Sequence, residues 1–130
     1  GKPDISNSPL TLSITHSDNL WTLALMDAKS IGIDAQLSPP QSIQKLIAKY
    51  PHLSNHSIDA FLYEWKATEA YCKCTESSLL STLRSPILPR IENEGLFISL
   101  ATSHQIVIVS TEEIKSIACL GQNQTVSSSA

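Results

Sequence analysis

One stretch limits what this chain can fold into more than any other: SIDAFLYEWKATEAYCKCTES, Ser57 to Ser77. At 3.6 residues per turn, Ile58, Phe61, Leu62, Trp65 and Cys72 fall on one stripe, which predicts a long helix with that stripe facing the core. Glu69 lies in the middle of the stripe, and Lys73 sits one turn further on at its edge. A carboxylate among Phe, Leu and Trp is costly unless a cation or a dense set of donors meets it. Two readings are open. Glu69 and Lys73 can be an i,i+4 pair on a solvated face, worth about a few tenths of a kcal/mol. Alternatively, Glu69 is held at a dry site to bind a metal or move a proton. A second carboxylate nearby would favour the latter.

Such a carboxylate lies upstream, in Ser30-Ile31-Gly32-Ile33-Asp34-Ala35-Gln36. Strict alternation puts Ile31 and Ile33 on one face of a strand, and Gly32, Asp34 and Gln36 on the other. Gly32 removes the side chain beside Asp34, so that a ligand or another backbone can approach closely. A solvated Asp at an ordinary strand end is the plain alternative.

The rest of the chain reads as follows. Residues 3–9 are a loop, and Leu10–Thr15 alternates Leu10, Leu12 and Ile14 against Thr11, Ser13 and Thr15 as a half-buried strand. Leu20–Met26 is apolar on both faces, as expected of a more central strand. Ser42 can cap a helix running to Tyr50, where Pro51 closes it. Residues 85–94 carry prolines and no period and read as a connector. Leu96–Ala101 and Gln105–Ser110 read as strands, Glu112–Leu120 as strand or short helix, and Gly121–Ala130 as a polar, frayed tail. The fold class expected is α+β, a small and mainly antiparallel sheet with the long helix packed across one face.

Composition narrows the function classes. Hydrophobic residues make up 42% of 130 and charged ones 16%, which suits one globular domain. The apolar runs are too short for a membrane span or a signal segment. Three cysteines, an odd number, argue against a disulfide framework, and Cys72 and Cys74 lie about 200° apart on the helix. They read as reduced packing residues in a cytoplasmic protein. A net charge of −3 excludes a general polyanion or nucleic-acid binder. The middle of the chain is mildly basic, however, with Lys45, Lys49, Lys66, Lys73, Arg84 and Arg90 against Asp59, Glu64, Glu69 and Glu76. It suits either an acidic partner or a solvated helical face. His52 and His56, spaced i,i+4, sit in a polar loop and make a poor metal pair.

Four stretches, in order, carry a resemblance. Gly1-Lys2-Pro3, Leu12-Ser13-Ile14-Thr15-His16-Ser17, Gly32-Ile33-Asp34 and the spaced set Trp65, Glu69, Ala70, Lys73 together resemble the 4′-phosphopantetheinyl transferase superfamily, in its larger, surfactin-synthetase-activating type. The resemblance covers residues 1 to about 75 and implies a fold of two similar lobes with the active site between them. Residues 1–29 would be the end of the first lobe, 30–118 the second, and 119–130 a polar tail. The chain begins at Gly1 rather than Met, so it would be the C-terminal portion of a longer protein or a shortened form. Its cleft would then be completed by a missing N-terminal lobe or by self-association.

The activity the resemblance implies is transfer of the phosphopantetheine arm of coenzyme A to a serine of an acyl or peptidyl carrier protein, with Mg²⁺ as cofactor, in fatty acid or secondary metabolite biosynthesis. Asp34 and Glu69 match the metal-binding carboxylates, and Glu69 also matches the proposed base. Lys73 matches the lysine on the phosphates, while Lys2, Thr15 and His16 match the positions holding the 3′-phosphate end of coenzyme A. Two positions depart from the pattern. Gln36 stands where a third acidic ligand is usual and offers an uncharged oxygen to the metal. Thr68 stands where the family has Lys, and Lys66, about 200° away on the helix, is not a simple replacement. Those departures keep a second reading open: a non-catalytic relative, retained as a coenzyme A-binding or carrier-docking module.

Overall fold

The computed structural model describes residues 11–17, 20–26, 28–35, 41–53, 57–85, 91–101, 106–113, 116–119 and 124–127. Its centre is a three-stranded antiparallel sheet of β3 (Ile31–Ala35), β4 (Phe97–Ala101) and β5 (Ile106–Ser110), in the order β3-β5-β4. Register sets the faces. Gly32 pairs with Val109 and Asp34 with Val107, and Ile98 and Leu100 of β4 oppose the same two valines. These residues therefore share one face, while Ile31, Ile33, Ile106 and Ile108 share the other and are fully buried. The molecule is α+β, and its long helix lies on the Gly32–Asp34 face.

That helix is α2 (Ile58–Thr75). Ser57 starts it, its Oγ accepting from the Ala60 N–H at 3.0 Å. Asp59 in the first turn and Lys73 in the last both complement the helix dipole. Glu76 ends it in the left-handed conformation, with the Ser77 N–H returning to the Cys72 carbonyl. α2 buries two faces. On the sheet side, Ala67, Ala70, Tyr71 and Cys74 pack with Val107, Val109 and Ile91. On the other, Phe61 and Leu62 meet Ile43, Tyr50 and Leu53, with Trp65 stacked on Phe61 at a 6.2 Å centroid distance. Cys72 and Cys74, two residues apart, are both buried thiols outside any disulfide. Ile58, expected on the core stripe, is 37% exposed instead, in the first turn of the helix.

Two further helices complete that second cluster. α1 (Ile43–Lys49) occupies the stretch expected after Ser42. α3 (Leu79–Arg84) was not anticipated, although Ser78 caps it through the Ser81 N–H and Leu83 anchors it in the core. The connector ends in a 3-10 turn, Ile91–Glu94, with Ile91 buried.

The N-terminal strands β1 (Thr11–Ser17) and β2 (Leu20–Met26) form a hairpin, with Leu12 opposite Leu25 and Ile14 opposite Leu23. Two expectations are corrected there. β2 is an arm of this hairpin, packed beside β6, rather than a central strand. β1 also turns the opposite face inward: Ser13 and Thr15 are buried, whereas Ile14 is 38% exposed. The cause is the neighbouring edge of β3. Ser13 Oγ accepts the Ile33 N–H at 3.2 Å, and Thr11 Oγ1 donates to the Ala28 carbonyl. Hydroxyls thus satisfy backbone groups that a β ladder would otherwise have paired. The tail is corrected as well: Gln124–Ser127 forms β7, paired antiparallel with β6 (Ser116–Cys119).

Candidate functional site

The site begins with a glycine. A Cβ on Gly32 would stand 2.0 Å from the Ala70 carbonyl oxygen, 2.5 Å from the Cys74 nitrogen and 2.9 Å from Lys73 Cβ. Gly32 is thus the point where the backbone of α2 rests on β3, the close approach that a missing side chain permits. Asp34, two residues on, points to the same side. The residues of α2 flanking the crossing, Glu69 and Lys73, are thereby brought to it.

Three contacts define the geometry. The Glu69 carboxyl is near enough to Asp34 to raise its pKa, by hydrogen bonding and by repulsion. Lys73 Nζ donates to the Ile33 carbonyl at 2.8 Å and stands 3.5 Å from Asp34 Oδ1. Thr15 Oγ1 of β1 makes a long contact, also 3.5 Å, to the same oxygen. Asp34 is buried, Glu69 and Lys73 half-buried. The Lys73 ammonium therefore crosses to β3, and the solvated-face reading of Lys73 is replaced by a cation bound to a strand end.

Electrostatics at Asp34 follow from burial and neighbours. Burial, and then hydrogen bonding and repulsion from Glu69, push its carboxyl up to about 8, while Lys73 pulls the other way without prevailing. Asp34 is thereby held largely in its neutral form at neutral pH, despite the nearby Lys73 ammonium. The arrangement can do two things chemically: exchange a proton, or seat a divalent cation that replaces it. Mg²⁺ is usually held by one or two carboxylates plus waters and substrate phosphates, and the oxygens of Asp34 and Glu69 fit that donor set. Among the described residues, no group of three or more His, Cys, Asp and Glu side chains could hold a metal without such a contribution from the ligand.

Of the other candidates, Lys2 and Gln36 lie outside the described residues, and of His16 only the backbone, opposite Trp21, is described. Thr68 is buried, and its hydroxyl donates to the Glu64 carbonyl at 2.7 Å, one turn back. It brings no charge to the site. His52 contacts the Leu83 carbonyl through Nε2 at 2.9 Å, while His56 lies outside the described residues.

Lys66, named above as no simple replacement for a lysine at position 68, is not on a solvated helical face. It is only 6% exposed; burial lowers its ammonium pKa, and attraction to Asp34 and then Asp59 opposes that shift. Lys66, Glu69 and Lys73 are i, i+3 and i+7, one stripe of the helix, and that signal was available in the sequence.

Compared with models of known families, with curated proteins and with solved structures, the chain matches none.

Proposed function

We propose that the chain is a 4′-phosphopantetheinyl transferase, built as a lobe of that family's fold. It would move the phosphopantetheine arm of coenzyme A onto a carrier-protein serine and release adenosine 3′,5′-bisphosphate. The observation that carries this reading is the meeting of Asp34 with Glu69 and Lys73 at the Gly32 crossing. Asp34 and Glu69 would hold Mg²⁺, which when bound neutralises diphosphate charge. Glu69, the more exposed of the two carboxyls, accepts the proton of the incoming serine hydroxyl. Lys73, held by the Ile33 carbonyl, stabilises charge developing on the phosphates. The hairpin β1–β2 would belong to a first lobe and the β3-β5-β4 sheet to a second, in a cytoplasmic protein.

One observation favours a second reading. Position 68, where the family has Lys, is here an interior threonine bonded to its own helix. A chain short of that charge could bind coenzyme A, or dock a carrier, without turning it over. A transfer assay separates the two, using carrier apo-protein, coenzyme A and Mg²⁺, with the carrier's mass as readout. The transferase reading expects a mass gain that chelator abolishes and Glu69→Gln removes. Coenzyme A binding without mass gain would favour the module. Neither binding nor transfer would refute both.

A further inference from the structure

Two donors from different elements meet the Asp34 carboxyl, and both meet the same oxygen. Lys73 Nζ, from α2, stands 3.5 Å from Oδ1. The Thr15 hydroxyl, from β1, donates to Oδ1 across 3.5 Å. Thr15 is buried, and Ser13, on the same face of β1, accepts the Ile33 N–H at 3.2 Å. Two successive residues of β3, Ile33 and Asp34, are thus met by two alternate residues of β1, so the strand itself aims the hydroxyl. Hydrogen bonds to a working carboxyl are often long before its ligand is bound and tighten on binding. A hydroxyl has one proton to give, and phosphate oxygens accept. Once that proton is given to Asp34, none is left for a phosphate.

We propose that Thr15 is a positioning residue of the carboxyl site: with Lys73 it holds Asp34 by Oδ1 and leaves the second oxygen to serve Glu69 and a divalent cation. The proposal rests on the reading of Asp34 and Glu69 as cation-binding carboxylates. It departs from the role that the resemblance implies for Thr15, a contact to the 3′-phosphate of coenzyme A. Thr15 touches neither cation nor ligand and acts through Asp34. Loss of such an outer hydrogen-bond partner weakens metal affinity by about 10–100-fold at known sites.

The test is calorimetric binding of Mg²⁺ alone to the full chain, and then of coenzyme A and 3′-dephospho-coenzyme A as separate probes in Mg²⁺ buffer. Thr15→Val keeps the size and branching of the side chain but removes the hydroxyl, and should weaken Mg²⁺ binding by about tenfold. Thr15→Ser keeps the hydroxyl and should stay within about threefold of wild type. The two coenzyme A probes should lose affinity equally in Thr15→Val, since neither meets the hydroxyl. Ser13→Ala separates positioning from docking of the hairpin, because it loosens the contact at Ile33 without touching Asp34. It should lower the melting temperature and leave Mg²⁺ affinity near that of wild type. Should Thr15→Val fail to fold, the wild-type chain carries the test: the Thr15 methyl resonance should shift on Mg²⁺ addition with the same midpoint as the Asp34 carboxyl carbon. A loss under about threefold in Thr15→Val would overturn the proposal. So would an equal loss in Ser13→Ala, a loss confined to the probe carrying the 3′-phosphate, or a Thr15 resonance that stays fixed while that of Asp34 moves. If Mg²⁺ binding depends on the Thr15 hydroxyl but no carrier gains mass, the positioning role stands and the transferase reading falls. If transfer occurs and Thr15→Val binds Mg²⁺ normally, the reverse holds. Wild-type chain that binds no Mg²⁺ would end both.

Discussion

Replacing Gly32 with alanine tests whether the site really hangs on the helix–strand crossing. The added carbon would stand 2.0 Å from the Ala70 oxygen and 2.5 Å from the Cys74 nitrogen, both main-chain atoms of a regular helix. Neither can rotate aside as a side chain can, so α2 must lift from β3 by an ångström or more. Overpacking a close-packed interior costs about 1–3 kcal/mol, occasionally more. With two backbone clashes, Gly32→Ala belongs near 3 kcal/mol. For a chain of this length, that corresponds to a fall in melting temperature of roughly 10 °C. Gly95 provides the control. It has a φ of 73°, but nothing lies within 4 Å of its missing Cβ, so Gly95→Ala pays only for backbone strain, about 1 kcal/mol. Urea unfolding of both variants, followed by circular dichroism, gives the two costs. The site supplies a second readout, because lifting α2 separates Lys73 from the Ile33 carbonyl and Glu69 from Asp34. Transfer or ligand binding should therefore drop in Gly32→Ala more than in Gly95→Ala. A Gly32→Ala chain that loses under about 1 kcal/mol would refute the reasoning, since the crossing would then be loose enough to take a methyl group.

Other consequences are simpler to check. The Asp34 carboxyl is raised in the fold above the unfolded value of about 3.9. Its contribution to stability is therefore fully present below about pH 4 and is lost as pH rises through about 8. Urea midpoints between pH 5 and 9 should decline less steeply in Asp34→Asn; an unchanged slope would place the titration elsewhere. Adding Mg²⁺ should raise the midpoint more at pH 9 than at pH 6, because at the lower pH cation binding must displace the proton on Asp34. Phe61→Ala removes a fully buried ring stacked on Trp65 and should cost about 3–5 kcal/mol by the same unfolding measurement. Tyr71→Phe deletes the 2.8 Å hydrogen bond to Glu94 Oε2, and a loss of about 1 kcal/mol is expected.

What the sequence disclosed, and what it hid, follows from where each signal resides. The α2 helix was legible because its cap, its apolar spacing and its length all agree. β3 and its faces were legible from alternation, and Gly32 beside Asp34 marked the close approach. Bringing Asp34 to Glu69 is a long-range fact that no local pattern contains, and the expectation of it rested on the resemblance, which matches both to metal-binding carboxylates. The inward face of β1 was misread because hydrophobicity assigns Ile14 to the interior. Serine and threonine won the position because the edge of β3 needed hydrogen-bond partners, a demand set by another strand. β7 and α3 were missed for lack of apolar length: four and six residues cannot show a period. The burial of Lys66 was not legible, since a lysine in a mildly basic stretch reads as solvated until the packing of α2 on β3 is known.

The join between β1 and β3 has a mechanical meaning. No ladder ties them among the described residues; the hydroxyls of Ser13 and Thr15 reach β3, and that of Thr11 reaches Ala28 just before it. Each is a single rotatable bond that water can replace one at a time, unlike the cooperative rungs between β3 and β5. In hydrogen–deuterium exchange, the Ile33 amide should therefore exchange with the hairpin's opening rather than with global unfolding, while the β5 amides facing β3 wait for the whole sheet. The N-terminal hairpin is hinged to the domain like a flap on a seam. When the seam parts, the carboxyl of Asp34 loses its contact with Thr15, so the edge of β3 and the candidate site are exposed by the same local event.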